Sequence, residues 1–158
     1  MAKKKSKLPD NNIAYNRSAK HEFFIESNLE VGIALEGWEV KSLREKNLQL
    51  KESYVFIKNS ELWLSGANIT PLSTASTHIK AEPTRVRKLL AHRIEIDRLL
   101  GMVERKGYTL IAVSAYWKHG RAKLDIGLGR GKKLHDKRDT EKNRDWARDK
   151  SRILKNSR

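Results

Sequence analysis

The chain has no cysteine, only 3 prolines in 158 residues, and no long apolar run. The first absence excludes disulfides and thiolate-held metal, and with them the stapled frameworks of small secreted domains. The histidines His21, His78, His92, His119 and His135 are spread too widely for a local ligand pair, and no HExxH occurs. No metal and no cofactor is expected. The longest apolar-biased stretch, Thr109 to Trp117, is about half the length of a membrane span. The lysines near the start run into Leu8-Pro9-Asp10-Asn11-Asn12, where a signal peptide would carry its apolar core. The expectation is a soluble, cytoplasmic protein with no membrane partner.

Acidic charge is also scarce: 34 Lys and Arg face 19 Asp and Glu, a formal net charge of +15. The surplus is uneven. Residues 1–22 hold 6 basic side chains against 2 acidic, and residues 130–158 hold 12 against 5, leaving 16 against 12 between them. That balanced middle is long enough to bury roughly two thirds of its unfolded surface around one core. The ends are too charged and too poor in aliphatics to offset the entropy of ordering. The chain divides into a basic flexible arm over 1–12, a body over 13–129 and a basic tail over 130–158. Polycationic arms on a balanced body suit RNA.

Within the body the apolar pattern is mostly that of short strands. His21 to Ser27 and Val31 to Leu35 read as two strands joined by a hairpin connection at Asn28-Leu29-Glu30. Gly37 to Lys46 changes period and suits a short helix. Ser53 to Lys58 and Glu61 to Ser65 flank a turn at Asn59-Ser60, with Gly66 a bulge site. Leu72 to Thr84, rich in Ser and Thr and closed by Pro83, is a long loop. Thr84 caps a helix over Arg85 to Leu90. A second helix runs from Ile94 to Lys106, with Ile96, Leu99, Leu100 and Val103 on one face and Gly107 ending it. Tyr108 to Trp117 and Arg121 to Leu128 form a last hairpin through Lys118-His119-Gly120. The tally of about six strands with two or three short helices predicts a mainly β fold. Short antiparallel strands lose their edges most simply by closing. The expected class is therefore a small closed antiparallel barrel of OB-like type, followed by a C-terminal tail disordered when free.

In that tail Glu141 and Arg144, Asp145 and Arg148, and Asp149 and Arg152 fall at i, i+3, each pair adding only a few tenths of a kcal/mol to a helix. Trp146, Ile153 and Leu154 make a sparse apolar stripe. A lone helix of this kind is marginal in water, which predicts ordering only on a surface.

No catalytic constellation stands out. Gly127-x-Gly129-x-Gly131-Lys132 lacks the gap and the Ser or Thr of a phosphate loop, and a flexible exit from the last strand accounts for it better. His135 and Asp136 are adjacent, so their side chains point apart, and no serine nucleophile is set up nearby. His135 among Lys132, Lys133, Lys137 and Arg138 suits base stacking beside phosphate contacts. Glu30 beside a basic surface could accept hydrogen bonds from base edges, and a solvated hairpin carboxylate is an equal reading.

Several separate stretches then fall into one pattern. Asn16-Arg17-Ser18-Ala19-Lys20-His21-Glu22-Phe23-Phe24-Ile25, Gly32-Ile33-Ala34-Leu35-Glu36-Gly37-Trp38-Glu39-Val40-Lys41-Ser42-Leu43-Arg44 and Glu52-Ser53-Tyr54 come first. Pro83-Thr84-Arg85-Val86-Arg87-Lys88-Leu89-Leu90 and Gly131-Lys132-Lys133-Leu134-His135-Asp136-Lys137-Arg138 follow. In this order they resemble the SsrA-binding protein (small protein B) family, from about residue 11 onward. Ser18 and Ala91 depart mildly, standing where members often carry a basic and a larger aliphatic residue.

The resemblance implies a partner, transfer-messenger RNA, bound at its tRNA-like domain and delivered to stalled ribosomes for trans-translation. The protein would stand in for the missing anticodon arm. RNA contacts are implied at Asn16, Glu30 and Leu90, with Arg17, His21 and Lys123 beside them. The tail would lie in the empty message channel of the small subunit, past the decoding centre. There Gly131, Lys132, Lys133, His135, Asp136, Lys137 and Arg138 would meet ribosomal RNA, and Ile153, Leu154 and Lys155 would mark a distal helix. The elongation factor Tu ternary complex would take part indirectly, and the protein would act as a monomer without catalysis of its own. Two other readings stay open: a generic single-stranded-RNA-binding or ribosome-associated structural protein, and an RNA-modifying enzyme.

Overall fold

A computed structural model describes residues 10–75, 78 and 80–156, without the side chains of residues 134–136 and 156. Residues 1–9 of the expected arm, part of the 72–84 loop (Ser76, Thr77 and Ile79) and the His135 and Asp136 side chains lie outside the described residues.

Period-two alternation puts most of the body into strands. In chain order the elements are β1 Asn12–Tyr15, α1 Arg17–Glu22, β2 Phe23–Ile33, α2 Gly37–Arg44, β3 Leu48–Gln49, β4 Tyr54–Lys58 and β5 Glu61–Ser65. They continue as β6 Asn68–Ile69, β7 Arg87–Leu90, α3 Arg93–Lys106, β8 Thr109–Lys118, β9 Arg121–Gly131 and α4 Leu134–Asn156. Two-residue turns with positive φ at both positions match the strand twist. Asn59 (φ 53) and Ser60 (φ 60) join β4 to β5, and His119 (φ 51) and Gly120 (φ 74) join β8 to β9. Both hairpins, the helix over α2 and the helix over α3 stand where the sequence places them.

The main sheet has the order β1-β8-β4-β5-β7-β2-β9, all pairs antiparallel. A ladder between β8 and β9 links the far strand back to the second one, so the pairings return on themselves. β3 and β6 pair separately. Inside sit Val31, Leu43, Leu62, Leu89, Leu124 and Ile126, each at most 1% exposed. Burying one such side chain stabilises the fold by about 1.5–3 kcal/mol.

Four local expectations change. Asn28-Leu29-Glu30 forms no turn: β2 runs unbroken, pairing β9 from Phe23 opposite Gly131 to Gly32 opposite Lys123, with one irregularity between Ile25 and Ser27. These polar residues stay extended because they bond across the sheet, as when Asn28 Nδ2 donates to Asp125 Oδ2 at 2.8 Å. The helix expected over Arg85 to Leu90 is strand β7 over its last four residues, with Arg87 and Leu89 buried and Leu90 exposed. An inward arginine hides that alternation in the sequence. Among the described residues there are nine strands rather than about six, the additions being pieces as short as the two residues of β3 and β6. Finally, β9 continues to Gly131, past the boundary expected at residue 129.

Arg87 points inward because a carboxylate waits there. Glu39 on α2 is 0% exposed and Arg87 1%. Glu39 accepts from Arg87 Nε through Oε2 and from Arg85 through Oε1. Arg87 also donates to the carbonyls of Ala67 (3.0 Å), Arg85 (3.2 Å) and Pro83 (3.0 Å), tying the end of the long loop to the core.

Gly129 is required by close approach of strands. A Cβ there would lie 2.9 Å from the Phe24 carbonyl carbon and 3.0 Å from Ile25 Cα. Gly127 and Gly129 thus serve close strand packing, and Gly131 ends β9 opposite Phe23, so the series is ordered strand and not a flexible exit or a phosphate cradle.

The tail forms a helix of 23 residues, α4, about 35 Å long. None of its described side chains is buried; Trp146 is 72% exposed and Ile153 67%. Asp145 and Arg148 pair at 3.6 Å, and Glu141 reaches His21 of α1 at 3.7 Å.

Candidate RNA interface

Alternate residues of a strand share a face, and on β2 the exposed row is Phe24, Glu26, Asn28 and Glu30. Gly32 continues that row. Leu90 of β7 stands opposite Gly32 on one side, and Lys123 of β9 stands opposite it on the other. A Cβ at Gly32 would come within 3.2 Å of Leu90 Cβ, so the glycine gives Leu90 room while Leu90 stays 53% exposed. Three residues implied for RNA contact, Glu30, Leu90 and Lys123, therefore meet around Gly32.

Glu30 does not hang free. Tyr116 Oη donates to its Oε2, and Lys118 Nζ lies 3.2 Å from Oε1 and 3.3 Å from Oε2. Tyr116 and Lys118 are i and i+2 on β8, facing the same way. The Tyr116 hydrogen bond holds the Glu30 carboxyl below the usual carboxylate range, against an opposing effect of desolvation, and Lys118 and Lys123 help. Burial pushes the Tyr116 phenol well above its usual value, and the bond to Glu30 adds to the rise. Asp125, the register partner of Glu30, is raised by burial, with Glu30 adding and the Asn28 hydrogen bond opposing. The result is a fixed, ionised acceptor between two lysines, beside an exposed aliphatic side chain. It can accept from base N–H groups, contact phosphate through the lysines and pack against a sugar or base edge through Leu90.

The remaining expected contacts lie on the β1–α1 corner. Asn16 is 4% exposed. Its Nδ2 donates to the Leu50 carbonyl at 3.3 Å and the Ala112 carbonyl at 3.0 Å, and its backbone N–H to Val113 at 2.7 Å. Asn16 thus staples the start of α1 to β8, a structural task the sequence does not reveal. Its Oδ1 is buried and accepts no hydrogen bond among the described residues, and Asn16 lines a pocket together with Lys51, Ser53 and Tyr54. Arg17 on α1 is exposed and His21 half-buried against the tail. In the tail Gly131, Lys133, Arg138, Ile153, Leu154 and Lys155 are exposed, and Lys132 and Lys137 are half-buried.

Sequence reading missed Gly32, Asn28, Tyr116, Lys118 and Asp125. The signal was present for two of them: in a strand that starts at Thr109, Tyr116 and Lys118 alternate with Trp117.

Among the described residues no group of three or more His, Asp or Glu side chains could hold a metal ion, and no helix is long and apolar enough to cross a membrane. A β body with a mixed acid–lysine outer face and an exposed basic helix defines a small RNA-binding protein. The SmpB protein family model matches residues 13–156, and the chain belongs to that family. It is 57% identical over 152 residues to the SsrA-binding protein of Alkalilimnicola ehrlichii, covering 96% of this chain and 95% of that one. It is 56% identical over 146 residues to the SsrA-binding protein of Chromobacterium violaceum, covering 92% and 97%. Among solved structures it is similar to a chain described under "tmRNA-SmpB: a journey to the center of the bacterial ribosome". That likeness has a TM-score of 0.63 and 43% identity, and covers 77% of this chain and 85% of the other.

Proposed function

We propose that this protein binds transfer-messenger RNA and brings it to stalled ribosomes for trans-translation, acting by binding and not by catalysis. The observation that carries the reading is the convergence of Glu30, Leu90 and Lys123 around Gly32, in a chain whose family match runs from residue 13 to 156. The ring of strand pairings is a small barrel of OB-like type, and its outer face grips the tRNA-like domain in place of an anticodon arm. Arg17, His21 and Asn16 extend the contact along the β1–α1 corner.

The chain works in three parts: a basic arm over 1–12, the barrel from residue 13 to the end of β9 at Gly131, and the tail beyond it. Beyond Lys133 the tail is disordered when free and helical in the empty message channel. Support for that comes from α4 itself, which buries no described side chain and so gains nothing from the core. In the channel Gly131, Lys132, Lys133, His135, Asp136, Lys137 and Arg138 contact ribosomal RNA, and Ile153, Leu154 and Lys155 seat the distal turn. Message already in the channel excludes the tail, which selects stalled ribosomes. The protein acts as a monomer in the cytoplasm, with the elongation factor Tu ternary complex joining through the RNA.

Filter binding with transfer-messenger RNA and an ordinary transfer RNA tests the first half: a strong preference for the former is expected, and equal affinity would leave only a generic RNA-binding barrel. Deleting residues 131–158 tests the second. Affinity for the structured RNA should stay largely intact while tagging on the ribosome is abolished; a large affinity loss contradicts the division of labour.

A further inference from the structure

The outer row of β2 that ends at Glu30 and Gly32 begins, about 20 Å away, where the tail leaves the body. There two cations sit on two aromatic rings. Arg130 Cζ lies 4.7 Å from the centre of the Tyr108 ring, and Lys132 Nζ lies 4.8 Å from the centre of the Phe24 ring. Arg130 Nη2 also donates to Tyr108 Oη at 3.0 Å, and that hydroxyl donates to Glu26 Oε2 at 2.6 Å. The Tyr108 hydrogen bond raises the Arg130 pKa further, so its charge is permanent. Lys132 Nζ donates to the Lys20 carbonyl at 2.9 Å, and the Lys132 backbone N–H to the Glu22 carbonyl at 2.7 Å.

A simple solvated surface would look different. On a protein of net charge +15, long cationic side chains gain by spreading into water. These two fold back onto the neutral rings of Phe24 in β2 and Tyr108 just ahead of β8, and onto backbone carbonyls of α1. Phe24 is 48% exposed, so core packing does not explain its ring. Arg130 lies at the end of β9, and Lys132 follows that strand, two residues before α4 opens at Leu134. Both contacts lie where the tail leaves the body.

We propose that Phe24, Tyr108 and Glu26 form a latch that sets the direction of the tail by holding Lys132 and Arg130, and that RNA phosphate releases it by taking both cations. An exposed cation on a ring is held weakly, whereas an arginine on phosphate makes charge-assisted, often paired bonds. Arg130 and Lys132 are i and i+2, on one face of an extended segment, as a phosphate backbone laid along them would need. The release step rests on the reading that the tail meets RNA; the latch does not.

The full chain lacks cysteine, so spin labels can be placed at Glu104→Cys on α3 and Asp139→Cys at the start of the tail. The expected wild-type distance distribution has a dominant component. Phe24→Leu keeps apolar area but removes the ring face, and should cut that component about two- to fivefold, with Phe24→Trp restoring it. The ε-methylene protons of Lys132 should resonate upfield under the Phe24 ring, and lose that shift in Phe24→Leu. Adding a short oligouridylate at low salt should remove the same shift in the wild type. A Phe24→Leu distribution identical to wild type, or Lys132 protons at their solvent-exposed position in the free protein, overturns the latch. An upfield shift that survives saturating RNA overturns release. If the latch signals appear but tail deletion leaves tagging intact, the reading of the tail fails and the latch stands.

Discussion

Glu39→Gln should cost the body about 3 kcal/mol, a large share of the roughly 5–15 kcal/mol that holds a domain folded. Breaking a buried ion pair by removing one partner costs about 3–5 kcal/mol, because the other charge stays buried. Arg87 is that other charge, 1% exposed against a Glu39 that is 0% exposed. Two features set the figure near the lower end. Arg87 keeps its carbonyl acceptors on Ala67, Arg85 and Pro83. Arg85, 24% exposed, keeps water and Glu36 at 3.6 Å. One feature resists further discount: the glutamine amide would turn two N–H donors toward an arginine. The assay is urea unfolding followed by tryptophan fluorescence, since Trp38 on the same helix is 4% exposed and donates to Glu36 at 2.6 Å. The midpoint should fall with an unchanged m-value. Pairing Glu39→Leu with Arg87→Met, which removes both charges, should recover most of the loss. A Glu39→Gln loss below about 1 kcal/mol, the range of exposed pairs, would refute the buried clamp.

Gly129→Ala drives a methyl into the Phe24 carbonyl, so β2 and β9 must part; a loss above about 2 kcal/mol is expected in the same assay, and a neutral change refutes the register. Asp125 has a carboxyl raised by burial, so the folded state binds its proton more tightly than the unfolded chain. Its contribution to stability is therefore full below the ordinary carboxylate range and is lost as pH rises through the raised value. Asp125→Asn should abolish that decline, flattening stability from mildly acidic to neutral pH; an unchanged profile assigns the slope elsewhere. Lys123→Ala should weaken binding to transfer-messenger RNA and reduce the steepness of log K against log salt by about one, from a body slope near −4 if about five phosphates are neutralised. An unaltered slope removes Lys123 from the phosphate contacts.

The parts of this fold that the sequence showed are those where local chemistry decides. Asn59-Ser60 and His119-Gly120 can adopt positive φ, so their hairpins were legible. Ile96, Leu99, Leu100 and Val103 have helical spacing, and Gly107 stops the helix with φ 65. What stayed hidden depends on partners far along the chain. Arg87 looks like a surface residue until Glu39, far earlier in the chain, makes it a core one. Asn28-Leu29-Glu30 looks like a turn until Asp125 and Tyr116 supply cross-strand bonds to its polar side chains. Of the site, Leu90 and Lys123 came from a resemblance and Glu30 both from it and from its basic surroundings, and only the register places them together. Gly32, which makes that meeting possible, carries no side chain to notice.

On the proposed function an acidic residue lies at the centre of the RNA face of a protein of charge +15, and that needs a physical reason. The lysines alone would attract any phosphate backbone, and such contacts carry no choice of partner. Glu30 reverses the local preference. The Tyr116 hydrogen bond, with Lys118, holds its carboxyl below the usual carboxylate range, and a fixed carboxylate repels a phosphate laid across it. A surface that instead presents base or sugar donors there gains a preorganised acceptor and keeps the flanking lysines. Discrimination built from one repulsive and one attractive element in the same place works against wrong partners as well as for the right one. In the proposed reading, the barrel chooses and the tail, with few acceptors and much charge, follows any phosphate-lined path that is empty.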